Sequence, residues 1–138
     1  YAGFCSEPVG TCDAPTVITD GVYMGNTGGG LSEHDGTQCS SFSTGTAGNG
    51  PEAVYVYTAS ISGQICVDTE NSDLDTVVHV RQAVCEMSSA QLACDDDGGN
   101  SGLSSSLSFA AEAGTEYFIF VDSFSRAGAF ILNVGPCP

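Results

Sequence analysis

The 138-residue chain sets 17 Asp and Glu against two basic residues, Arg81 and Arg126, for a formal charge of −15, and 41% of its residues are hydrophobic. That hydrophobic share is enough to bury a core, which argues against a disordered tail. The charge excludes nucleic acid and anionic membrane surfaces as partners, because phosphates are held by basic footprints this sequence lacks.

In chain order, apolar residues alternate with polar ones and Gly, Ser, Asn and Asp punctuate the segments, a pattern of period two that predicts an all-β fold. The predicted strands are 16–24, 52–59, 62–68, 75–82, 90–95, 103–111, 115–122 and 128–134. Residues 25–51 are rich in Gly, Ser and Thr and read as a surface loop stapled by Cys39. The segment 103–109 alternates Leu103, Ser105, Leu107 and Phe109 with Ser104, Ser106 and Ser108, which predicts a one-sided strand with serines toward water. His79 alternates with Val78 and Val80 and is expected to point outward or across to a neighbouring strand. Residues 117–121 and 130–132 are apolar on both faces, as expected of central strands or of a face covered by a loop, another domain or another subunit. About eight short strands at this spacing suit a single β-sandwich domain over residues 1–138, with jelly-roll or Greek-key connections. Tyr55, Tyr57 and Phe124 are candidate exposed aromatics for ligand or subunit contact.

Seven cysteines, Cys5, Cys12, Cys39, Cys66, Cys85, Cys94 and Cys137, read as a disulfide framework and place the chain in an oxidising, extracellular setting. The first residue is Tyr1, consistent with removal of a secretory signal or excision from a longer chain, and no apolar run is long enough to insert in a membrane. The odd count leaves one thiol over. Cys85 and Cys94 flank a short connection and are expected to form a hairpin bridge, Cys12 and Cys39 are further disulfide candidates, and Cys5 and Cys137 can clip the two ends or reach another unit. Cys66, pointing opposite to Ile65 and Val67, is the candidate free thiol.

Two acidic loops carry the chemistry. The first runs from Asp68 through Asp73 to Asp75 and the second is Asp95-Asp96-Asp97-Gly98-Gly99-Asn100. Dense carboxylates on turns suit Ca²⁺, which takes six to eight oxygen ligands. Asn71, Asp73 and Asp75 have the spacing of the first half of an EF-hand loop, but Thr76 stands where Gly is needed and Gln82 where the bidentate Glu is needed. The expected site is instead a pair of sandwich loops converging on Ca²⁺ through Asp73, Asp75, Asp95, Asp96 and Asp97. Asp-rich turns without an ion are the alternative. Enzymatic motifs are scarce: no Gly-x-Ser-x-Gly or His-Glu-x-x-His occurs, Trp platforms for sugars are absent, His34 beside Asp35 is a weak candidate base, and no Cys-x-x-Cys supports zinc. No catalytic residue is assigned.

The ordered series Cys66-Val67-Asp68-Thr69, Ser72 to Arg81, Leu92 to Gly98, Ala113 to Asp122 and Gly128 to Val134 resembles the bacterial pre-peptidase C-terminal domain family, in the Cys-containing versions found as repeats of large secreted proteins. The resemblance spans roughly residues 50–135. It implies a jelly-roll β-sandwich, non-catalytic, appended to exported proteins, with Ca²⁺ in some members falling here on Asp73, Asp75 and Asp95 to Asp97. It departs at His79, where an aromatic residue is expected, and at Cys5 and Cys137. The functions that follow are a secreted module binding matrix, protein or polysaccharide, or alternatively a structural subunit of an extracellular filament or cell-surface assembly that contacts copies of itself.

Overall fold

In a computed structural model, the described residues are 9–37, 39, 46–47 and 50–138. The strands are β1 (Thr16–Ile18), β2 (Gly21–Asn26), β3 (Gly36–Thr37), β4 (Thr46–Ala47), β5 (Glu52–Thr58), β6 (Gly63–Asp68), β7 (Thr76–Gln82), β8 (Gln91–Asp95), β9 (Ser106–Ala111), β10 (Glu116–Ser123) and β11 (Ala129–Pro136). They form a five-stranded sheet in the order β1-β5-β10-β7-β8, a four-stranded sheet in the order β2-β11-β6-β9, and a small β3-β4 pair. The two larger sheets pack face to face as a β-sandwich.

Period two dictates the core. Tyr55, Tyr57, Val78, Val80, Ile119 and Val121 of the first sheet meet Ile65, Val67, Phe109, Phe130, Leu132 and Val134 of the second, all buried in one cluster. β-Branched and aromatic residues dominate these positions because they pack well on a pleated, buried surface. Tyr55 and Tyr57 are therefore core residues at 7% and 0% exposure and not the surface aromatics expected from sequence, while Phe124 is half exposed.

The predicted strand 16–24 is two strands in different sheets. β1 lies parallel to β5 and β2 lies antiparallel to β11. The corner between them is clasped by the Tyr23 hydroxyl, which accepts from the Thr19 N–H at 3.0 Å and donates to the Thr19 carbonyl at 2.9 Å. Gly21 completes the switch with φ of 154°, a backbone that residues with a side chain rarely adopt.

β10 is apolar on both faces because both are covered. Its outer face, with Phe118, Phe120 and Asp122, is roofed by the segment around His34 and Asp35. Two disulfides secure that roof, Cys12–Cys85 and Cys39–Cys94, and Gly36 lies so close to the sulfurs of Cys39 and Cys94 that a Cβ there would overlap them. Part of the 25–51 loop is thus a cover over the first sheet, with Cys39 only 3% exposed. His79 lies beneath this cover at 0% exposure and does not face water, because the face it projects from is the roofed one.

The third bridge is Cys66–Cys137. The expected Cys85–Cys94 hairpin bridge does not form: Cys94 stands opposite His79 within the β7-β8 ladder, whereas Cys85 lies beyond the end of β7, so each turns to a partner in the cover. Cys66 is not a free thiol, since β11 runs beside β6 with Gly135 opposite Cys66 and delivers Cys137 next to it. That bond also removes Cys137 from the expected clip to Cys5, which lies outside the described residues. The strand predicted over 103–111 begins only at Ser106: Leu103 is half exposed, and Ser104 and Ser105 are buried.

Candidate functional site

Both acidic loops lie at one end of the sandwich because the registers require it. Val78 stands opposite Asp95 in the β7-β8 ladder, and Asp68 stands opposite Ser106 in the β6-β9 ladder. The loop leaving β6 and the loop leaving β8 are therefore neighbours. A buried hydroxyl network fastens them: Thr69 and Thr76 hydroxyls are 2.6 Å apart, Thr76 and Ser105 hydroxyls 2.9 Å, and the Ser105 N–H donates to Thr69 Oγ1 at 2.9 Å. The Ser105 hydroxyl reaches the backbone carbonyls of both Thr76 and Asp96, at 2.7 and 2.6 Å, so it positions Asp96 against β7. These serines and threonines are buried because they are satisfied internally.

Carboxylate oxygens of Asp75, Asp96 and Asp97 all lie within 4.8 Å of one another. That spacing is about twice a Ca²⁺–oxygen bond of roughly 2.4 Å, so one ion between them reaches all three. Oδ1 of Asp75 and Oδ1 of Asp96 are buried and accept no hydrogen bond, and Asp96 is 8% exposed. Burial, then the charges of Asp97 and Asp75, pushes the Asp96 carboxyl up to about 6. Burial, then Asp97, also raises Asp75. Carboxylates crowded and desolvated in this way repel one another and favour a cation.

The five sequence-predicted ligands divide. Asp75, Asp96 and Asp97 come together, whereas Asp73 is exposed and lies outside the trio. Asp95 serves the backbone instead. Its Oδ2 accepts from the Gly98 N–H at 2.7 Å and the Ser106 N–H at 2.9 Å, shaping the turn and joining β8 to β9. Sequence reasoning missed Glu70. Its carboxylate accepts from the backbone N–H of Asn100 at 2.7 Å and of Ser101 at 2.9 Å, and from the hydroxyls of Ser101 and Ser104. These bonds, the Asn100 one foremost, hold its carboxyl below the ordinary range and tie the first loop to the second. The available signal was the pairing of an acid in one loop with a cluster of serines and backbone donors in the other.

A second polar cluster lies under the cover. His34 Nδ1 is 2.6 Å from Glu52 Oε2, and Glu52 Oε1 accepts the backbone N–H of His34 at 2.8 Å. Arg81 donates to the Cys85 carbonyl at 2.7 Å and lies 4.8 Å from the centre of the Phe120 ring. His79 Nε2 is 3.6 Å from Asp122 Oδ2. Burial, then the Glu52 charge, pushes Asp122 up to about 10, and burial, then Arg81, pushes His79 down to about 3. Both are neutral at pH 7. The contacts of His34 fasten the cover to β5, and His79 and Asp122 are at 0% exposure, which denies them to a substrate from solution.

No family model matches the chain, and no curated protein matches it in sequence. Among solved structures it is similar to the pre-peptidase C-terminal domain of a collagenase from Bacillus anthracis, with a TM-score of 0.53 and 14% identity over 87% of this chain and 93% of that one. At that identity the likeness is one of fold: the chain has a β-sandwich like that of a pre-peptidase C-terminal domain.

Proposed function

We propose that the chain is a non-catalytic, extracellular β-sandwich module of pre-peptidase C-terminal type that binds a matrix protein or polysaccharide and is stabilised by Ca²⁺ at its acidic loops. The observation that carries the calcium reading is the convergence of Asp75, Asp96 and Asp97, with Oδ1 of Asp75 and Oδ1 of Asp96 buried and without a hydrogen-bond partner. Asp75, Asp96 and Asp97 would hold the ion, and Glu70 and Asp95 would keep the two loops in place around it. Three disulfides support an oxidising compartment, since such bonds persist outside the reducing cytosol. The burial of His79 and the engagement of His34 by Glu52 support a module without catalysis.

Calorimetric titration of the chelator-treated protein with CaCl₂, alongside thermal melts with and without EDTA, tests the metal. One bound ion with a Tm that rises with Ca²⁺ is expected, because a ligand of the folded state stabilises it by mass action. A flat titration and identical melts would reduce the loops to turns. Pull-down on immobilised collagen, other matrix proteins and acidic polysaccharides, each with and without Ca²⁺, then tests the binding role.

A further inference from the structure

Two charged residues near the acidic loops have no part in the trio. Asp73 stands outside it, and Arg126, in the loop 124–128 between β10 and β11, forms no ion pair with a described residue. Both line one cavity of about 560 Å³, together with Asp75, Leu103, Ser125 and Gly128. Its walls are held in place. The Phe124 N–H donates to the Asp75 carbonyl at 2.9 Å, Thr27 and Gly128 exchange two hydrogen bonds at 3.0 and 3.1 Å, and a Cβ on Gly128 would come within 3.0 Å of Leu74. A space of this size lies in the range of small-molecule sites, roughly 300–1,000 Å³. Of the chain's two basic side chains, Arg81 is buried beneath the cover, so the exposed one, Arg126, lies on the same cavity as two of the aspartates. Asp75 belongs to both the trio and the cavity. With one oxygen from each aspartate of the trio, Ca²⁺ keeps about three or more of its six to eight positions for other oxygens, and the cavity opens beside Asp75.

We infer, resting on the calcium reading above, that this cavity binds a neutral saccharide through two adjacent hydroxyls, which complete the shell of a Ca²⁺ held at Asp75 while Arg126 and Asp73 bond to neighbouring hydroxyls. The polar lining selects this chemistry. A guanidinium only donates, a carboxylate only accepts and the Ser125 hydroxyl does both, so a ring of hydroxyls, each a donor and an acceptor, satisfies all three. Leu103, 51% exposed, offers an apolar surface to the C–H face of the ring. Charge argues for a neutral ligand. Three aspartates outweigh the two charges of the ion in a chain already at −15, which repels an anion. A cation would compete with the ion for Asp75 and meet Arg126 on the same wall.

NMR titration of the ¹⁵N-labelled chain with the methyl glycosides of glucose, galactose, mannose and fucose, in CaCl₂ and in EDTA, tests the saccharide site. At least one glycoside should shift the amides of residues 103 and 125–129 in CaCl₂ and leave them in place in EDTA. Arg126→Gln, at an exposed position, should melt as the parent does and still gain Tm with CaCl₂, yet bind that glycoside at least about tenfold more weakly. Protein that takes up Ca²⁺ but responds to none of the glycosides overturns the inference and leaves the calcium reading standing, whereas a flat Ca²⁺ titration overturns both. Glycoside shifts that persist in EDTA, or an undiminished affinity in Arg126→Gln, overturn it as well. Acetate and Nα-acetyl-lysine amide, titrated alongside, should leave these amides unmoved; a response to either in place of the glycosides overturns the inference and makes the cavity a site for peptide side chains.

Discussion

His79 stacks on Phe120 with ring centroids 4.5 Å apart and planes within 7°. The stack holds the imidazole flat beneath the cover, beside a carboxyl that burial keeps protonated, and it gives this small polar interior a measurable dependence on pH. His79, lowered to about 3 from 6.5, takes a proton more readily when unfolded, so its contribution is lost as pH falls below 6.5. Asp122, raised to about 10 from 3.8, holds its proton more tightly when folded, so its contribution is lost as pH rises toward 10. Above pH 6.5 only the second effect remains. Urea unfolding at pH 7, 8 and 9 should show stability falling with pH, by up to about 1.4 kcal/mol per unit for one proton. Asp122→Asn, which keeps the neutral shape, should flatten that slope.

The aspartates of the second loop should separate by role. Asp96→Asn removes a crowded charge and a ligand together, so it should raise the Tm in EDTA and abolish the response to Ca²⁺. Asp95→Ala removes the acceptor for Gly98 and Ser106 and should cost about 1–3 kcal/mol whether or not Ca²⁺ is present. Melts of both variants in EDTA and in CaCl₂ check the pair.

Glu70→Ala should loosen the second loop while leaving the sandwich intact. Hydrogen exchange should show the amides of Asn100 and Ser101 exchanging at least about tenfold faster, with the amides of β10 unchanged. Equal protection in parent and variant would mean the loop holds itself.

Peptide mapping under non-reducing conditions should recover Cys12–Cys85, Cys39–Cys94 and Cys66–Cys137. Replacing Cys39 and Cys94 by Ser opens a loop of 55 residues and should cost about 4 kcal/mol in the chain-entropy treatment. Equilibrium unfolding of the double variant reads this directly.

Much of the architecture was legible because period two is written strongly in β6 and β11, where burial follows the alternation, whereas β5, β7 and β10 are buried along nearly their whole length. The split of 16–24 was not, since apolar letters run through the corner and only the backbone at Gly21 marks the change of sheet. His79 was legible in part: alternation places it on the outer face and across from Phe120, but does not tell that a distant loop roofs that face. The Cys39–Cys94 bridge depended on the same cover, because Cys39 has no partner in view until it is laid against β8. In the acidic site, the residue types indicated a cation, while the division between Asp96 toward the trio and Asp95 toward backbone donors depends on the turn geometry after β8.

The pattern of bridges also sets how the domain bears load. Pulled between Cys12 and Cys137, tension crosses at once from Cys12 to Cys85 and from Cys137 to Cys66, leaving residues 66–85 as the shortest covalent route between them. Residues 13–65 and 86–136 are sheltered from extension, and the exposed route can lengthen to only about 65 Å. That route contains Glu70 and Asp75, so the acidic loop lies in the line of force, and an ion bound there would act as a clasp that tension must open before the strand behind it gives way.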